Sequence, residues 1–196
     1  MTLFKSDAAK LAEPPAPALA NMVSIDGRGE KNILLKKGDS LSNHLGEIMQ
    51  GEMYHYVSAG EWSIMDVLGE ILKRTGAAKL FIATWTATET QARILIQLLK
   101  EKKITELHLL FDNKVPNRTP EMFQLAKYNA TRIGVCRCHA KVMVIENDEW
   151  HISISGSANL TSNQRIEAGV ISTNKKISDF HRTWIMNELD QVKQFE

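Results

Sequence analysis

Hydrophobic residues follow two different rhythms along this chain. Between about residues 60 and 130, stretches with helical spacing alternate with short unbroken apolar runs. Residues 61–74 place Ile64, Met65, Leu68, Ile71 and Leu72 on one helix face, and Gly76 supplies the stop. Residues 79–84 carry Leu80, Phe81, Ile82 and Ala83 in a row, the pattern of a strand buried on both faces. Residues 88–102 predict a second helix with Ile94, Leu95, Leu98 and Leu99 inward, and 107–111 a second buried strand. Thr119-Pro120-Glu121 then reads as a helix start: a cap, a proline in the first turn, and an acid near the positive dipole end. That helix is expected to run to about Ala130.

After residue 130 the rhythm changes. Residues 132–137, 140–145, 150–155 and 167–172 are strand candidates in quick succession, with Asn147-Asp148-Glu149 as the turn of a hairpin. A last helix is expected over 176–195, with Ile177, Phe180, Trp184, Ile185, Leu189 and Val192 inward. Two short strands, at 33–35 and 54–57, precede everything else. Strands alternating with helices, followed by a cluster of strands, predict an α/β fold: a mixed β-sheet sandwiched between helices. Residues 1–30 differ from the rest. Ala and Pro dominate 12–20 and no apolar periodicity follows, so a disordered tail or interaction arm is expected there, with a single domain over 31–196. There is no internal repeat.

Composition narrows the function classes. Of the 196 residues, 43% are hydrophobic and 24% charged, ordinary for a soluble globular protein, and the net charge of +1 points to no polyanionic partner by itself. The first residues contain no long apolar run, so neither a secretory signal nor a membrane span is expected. Cys136 and Cys138 stand too close together for an unstrained disulfide, and a reducing, cytoplasmic setting is the expectation.

The chemistry concentrates between His139 and Glu167. In a strand, His139 and Lys141 would share a face. An imidazole there can serve as nucleophile or general acid/base near neutral pH, and the ammonium can hold a phosphate oxygen. Ser157 and Asn159 repeat the spacing after another apolar stretch, supplying a hydroxyl and an amide as further donors. Gly156 would let the backbone approach an anion closely. Glu167 is a candidate to accept the distal ring N–H of His139 and fix its tautomer.

This set resembles the HKD motif of the phospholipase D superfamily, H-x-K-x4-D followed by G-S-x-N and a later glutamate. It looks most like the small, single-motif bacterial and phage nucleases of that family. His139, Lys141, Gly156, Ser157, Asn159 and Glu167 match residue by residue, and Leu160 and Thr161 fit as well. Glu146 stands in the aspartate position, and the span from Glu146 to Gly156 is longer than the family's, which places a longer hairpin at 147–149. The resemblance implies a phosphodiester hydrolase that works through a phosphohistidine without metal or other cofactor. It implies nucleic acid, DNA or RNA, as substrate. The family's reaction uses two histidines and this chain holds one motif, so a homodimer with a shared site is expected.

Other readings remain open. The fold could bind nucleic acid without turnover, or act on lipid, though no apolar anchor is present. Cys136, Cys138 and His139 lack a fourth ligand at zinc-site spacing and read as structural thiols. His44, His55 and His151 carry no motif. Asp112 and Asn113 follow a buried strand, where either a site role or loop capping fits. Lys114, Arg118, Lys127, Arg132, Arg137, Lys141 and Arg165 crowd the motif half, as a basic footprint for a polyanion would.

Overall fold

The computed structural model describes residues 30–34, 41–58, 60, 62–161 and 165–192, with the backbone alone for 30–34 and 44. The expected tail at 1–30 therefore lies outside the described residues, except Glu30. Among the described residues fourteen elements follow one another: β1 (Glu30–Leu34), α1 (Leu41–Leu45), β2 (Met53–Val57), α2 (Ile64–Thr75), β3 (Ala78–Thr84), α3 (Glu89–Lys100), β4 (Ile104–Asp112), α4 (Val115–Arg118), α5 (Pro120–Asn129), β5 (Arg132–Cys136), β6 (Lys141–Glu146), β7 (His151–Gly156), β8 (Ala168–Ser172) and α6 (Lys175–Gln191). The strands form one eight-stranded mixed sheet in the order β1-β2-β8-β7-β6-β3-β4-β5. β3, β4 and β5 run parallel, while β6, β7 and β8 pair antiparallel.

The unbroken apolar runs mark strands covered on both faces, as expected. On β3, Leu80 and Ile82 enter the larger core beneath α2, α3 and α5, whereas Phe81 and Ala83 enter a smaller core beneath α6. β6 divides the same way, Met143 and Ile145 to one side and Val142 and Val144 to the other. With a side-chain period of two, each central strand contributes to both cores. The mixed sheet sandwiched between helices is the observed architecture.

Local chemistry moved one boundary. α2 begins at Ile64 rather than 61 because Ser63 caps it: the Asp66 N–H donates to Ser63 Oγ at 3.3 Å, and the Ser63 N–H donates to Asp66 Oδ2 at 2.7 Å. Gly76, at φ +80°, ends the helix where expected. The inward face of α3 is rotated from the expected one. Ile94 is 40% exposed, and Gln91, Ala92, Leu95 and Ile96 are buried. Thr119 does not cap α5 with its side chain. Its hydroxyl donates to the Val115 carbonyl of α4, a short helix that the sequence reading did not anticipate.

Candidate active site

One end of the sheet gathers the motif. Across the adjacent strands β3, β6, β7, β8 and β2, register places Thr84 opposite Lys141, Val142 opposite Ser155, Gly156 opposite Gly169, and Ala168 opposite Val57. Lys141 opens β6 and Gly156 closes β7. The β6–β7 hairpin therefore delivers both halves of the motif to the same edge. The loop after β7 is tied down by a backbone bridge, in which the Thr88 N–H donates to the Leu160 carbonyl at 2.9 Å.

His139 lies in the connection before β6, not within the strand as the spacing suggested. It still meets Lys141: Nζ stands 3.1 Å from His139 Nδ1 and donates to the His139 carbonyl at 2.8 Å. An ammonium only donates, so Nδ1 acts as acceptor in this arrangement. The His139 side of the pair is exposed.

Ser157 and Glu167 form a second pair. Ser157 Oγ donates to Glu167 Oε2 and accepts the Ala168 N–H at 3.1 Å. The expected hydrogen bond from His139 to Glu167 is thus absent among the described residues. Ser157 follows the last β7–β8 pair, Gly156 with Gly169, and its hydroxyl takes up Glu167, while Lys141 occupies His139 Nδ1. The Glu167 N–H also donates to Ser58 Oγ at 3.1 Å, which fixes its backbone to the end of β2. Asn159 approaches β3, its Oδ1 accepting from Thr84 Oγ1 at 3.4 Å.

Gly156 also has a role that the sequence did not suggest. A Cβ built there would sit 2.5 Å from the Ala168 carbonyl oxygen and 2.8 Å from Gly169 Cα. The missing side chain serves strand-to-strand contact. Opposite it, a Cβ on Gly169 would meet Tyr56 Oη at 2.5 Å. Tyr56 is buried, and burial followed by the Glu167 charge pushes its phenol up to about 12, so it stays a neutral hydroxyl.

Glu146 and the longer hairpin are both remote from this edge. Glu146 closes β6 at the opposite end from Lys141, its carboxylate 3.1 Å from Arg182 Nε on α6 and 3.6 Å from His151 Nδ1. Asn147 shapes the turn beyond it, its Oδ1 accepting the Glu149 and Trp150 N–H groups at 3.0 and 2.8 Å. The departures from the motif therefore change the far end of the hairpin. Glu146, His151 and Asp179 lie close enough to suggest a cation site, but Arg182 already pairs with both carboxylates.

The expected basic footprint splits. Arg132 pairs with Asp190 at the other end of β5. Arg118 comes to the site, its Cζ 4.9 Å from the centre of the Trp85 ring. Asp112 accepts the Lys114 N–H at 3.1 Å, the loop-capping alternative. Cys136 and Cys138 are free thiols joined by a hydrogen bond, which draws Cys138 down to about 7 and pushes Cys136 up. The sequence reading missed Tyr56, Thr84 and Trp85. For Trp85 there was a signal: it directly follows a doubly buried strand, where sheets of this kind place ligand-facing residues. The Trp85 ring centre lies 5.3 Å from that of His139.

No family model matches the sequence, and no curated protein matches it at a significant level. Solved structures do match in fold. A phospholipase D family member, Nuc from Salmonella typhimurium, aligns at TM-score 0.56 and 14% identity over 74% of this chain and 98% of its own. NucT from Helicobacter pylori aligns at TM-score 0.55 and 15% identity over 74% of this chain and all of its own. The fold is phospholipase D-like.

Proposed function

We propose that the protein is a metal-independent phosphodiesterase acting on nucleic acid, with one active site shared by two copies of the chain. The observation that carries this reading is the direct contact of Lys141 with His139 at the sheet edge that also holds Ser157, Asn159 and Glu167. The likeness of fold to Nuc and NucT supports the reaction class.

A phosphate competes with His139 for the Lys141 ammonium. When Nζ turns to a phosphate oxygen, Nδ1 is released to carry the ring proton, and the lone pair falls on Nε2. That nitrogen attacks phosphorus and forms a P–N bond as the P–O bond to the leaving group breaks. The second copy's histidine protonates the departing oxygen. Water then attacks phosphorus, its proton taken by that same imidazole, and the P–N bond breaks to restore His139. Lys141, Asn159 and, once its hydroxyl turns from Glu167 to the phosphate, Ser157 bear the charge that builds on the phosphoryl oxygens, with Gly156 holding their loop at the strand end. Preorganised donors of this kind each contribute roughly a hundredfold to a thousandfold in rate. Glu167 orients the Ser157 hydroxyl, so Glu167→Gln is expected to lower kcat with substrate binding largely kept.

The dimer follows from the chemistry. Two histidines are needed and each chain has one H-x-K and one G-S-x-N. Ile166, beside Glu167, is 75% exposed and gives a partner an apolar contact at this edge. Hydrolysis of bis(p-nitrophenyl) phosphate and of single- and double-stranded DNA and RNA in EDTA tests the reading. Activity that vanishes with chelator and survives His139→Ala overturns it. Mixing His139→Ala chains with wild type under subunit exchange tests the shared site: crippled heterodimers are expected, and heterodimers with half the wild-type activity refute sharing.

A further inference from the structure

The chain has four tryptophans, and three are used by the fold. Trp62 belongs to the larger core, Trp150 packs against it, and Trp184 packs against the smaller one. Trp85 belongs to neither. It leaves the end of β3 half-buried, tilted 49° against the His139 ring, with Lys141 Nζ 5.9 Å from its centre. Arg118 covers the ring at 4.9 Å from an exposed position. Arg74, Arg93, Arg132 and Arg182 each hold a carboxylate, whereas among the described residues none pairs with Arg118. A large aromatic face with an exchangeable planar cation on it, one ring away from the nucleophile, is therefore left without a structural use.

We infer that Trp85 is a stacking platform for an unpaired nucleobase next to the scissile phosphate, and that Arg118 yields its place on the ring to the base and moves to a neighbouring phosphate. The inference rests on the phosphodiesterase reading and gives it a substrate class: single-stranded nucleic acid, or the unpaired part of a duplex. Inside a duplex both faces of a base are already covered by its neighbours, so only an unpaired base can lie on the indole. Stacking tolerates any base, so the platform selects strand form and not sequence. Arg118 is suited to the exchange because a guanidinium stacks on aromatic rings and also pairs with phosphate. Its exposed contact with the ring is weak enough to give up.

The test compares wild type, Trp85→Ala and Trp85→Phe on a short single-stranded oligonucleotide, made as DNA and as RNA, and on the same strand with abasic residues flanking one phosphate. Trp85→Ala is expected to raise KM for the intact strand roughly tenfold or more with kcat nearly kept, and Trp85→Phe to restore most of it. On the abasic strand, cleavage at the flanked phosphate should show the raised KM already in wild type, with no further effect of Trp85→Ala. Tryptophan fluorescence should be quenched by the intact strand and not by a fully abasic one, and the quench should fall in Trp85→Ala. Equal losses on both strands, carried by kcat, would mean that Trp85 merely positions His139 and would overturn the inference. An unchanged KM would also overturn it, leaving the phosphodiesterase reading intact. Base-dependent quenching with no cleavage of any strand would overturn that reading and leave the platform standing.

Discussion

The two ends of β6 carry similar residues and treat them in opposite ways. At the start of the strand a lysine meets a histidine, and at its close a glutamate faces one. At the Glu146 end opposite charges are paired: Arg182 Nε stands 3.1 Å from the carboxylate, and Arg182 bonds Asp179 as well. At the Lys141 end, the groups nearest the ammonium are a histidine ring and carbonyl and an indole, none of which cancels its charge. Charges cancelled by one another hold a fold together. Polar groups left with spare capacity at an exposed edge hold a ligand, and this contrast separates structure from site along a strand of six residues.

Paired substitutions at the two ends can break that contrast. The largest effect is expected from the histidines. His139→Ala should lower kcat on a phosphodiester by roughly a thousandfold or more, while His151→Ala stays within about twofold. Comparable losses in the two variants would erase the distinction. Lys141→Gln should reduce kcat/KM by roughly a hundredfold, read from steady-state kinetics at fixed ionic strength, because a fixed cation is lost where charge develops. A mild effect would show that Lys141 only braces the histidine.

The next expectation concerns the strand edge rather than the reacting groups. Gly156→Ala should cost about 1–3 kcal/mol of stability by forcing β7 and β8 apart, seen as a lower midpoint in denaturant unfolding. An undiminished midpoint would mean that the edge relaxes at no cost. The smallest effect belongs to the far end: Glu146→Gln should lose about 1 kcal/mol or less, as a partly exposed ion pair does, with kcat/KM unchanged. A loss of activity there would bring Glu146 back into the chemistry.

Much of this was legible in the sequence because burial leaves a periodic trace. Runs such as 79–84 announced doubly covered strands, and the strand cluster after 130 announced the hairpin that carries the motif. Residue identity alone also marked His139, Lys141, Ser157, Asn159 and Glu167. What escaped was set by contacts between distant segments. The α3 face turned toward Gln91 and Ala92 because the helix packs beside α5, a neighbour that no local pattern encodes. Gly156 was read only as a phosphate neighbour because a single chain position cannot reveal that β8 presses on it. Glu167 was assigned to His139 because spacing does not show that the Ser157 hydroxyl reaches its carboxylate first. Tyr56 comes from β2, a strand whose pattern carried no hint of chemistry.

The strand order has a consequence for how the chain is made. β2 lies between β1 and β8, with Met53 opposite Ser172, so its second neighbour is translated more than a hundred residues later. At ordinary rates of synthesis that interval is on the order of ten seconds. Throughout it, the β1–β2 pair has no partner for one edge, a template for pairing with other nascent chains. The β6–β7 hairpin, by contrast, closes as soon as it emerges. The motif halves are thus drawn together by a local turn, and Glu167, Tyr56 and Ser58 join them when β8 slots in beside β2. The site is completed by the last strand to arrive.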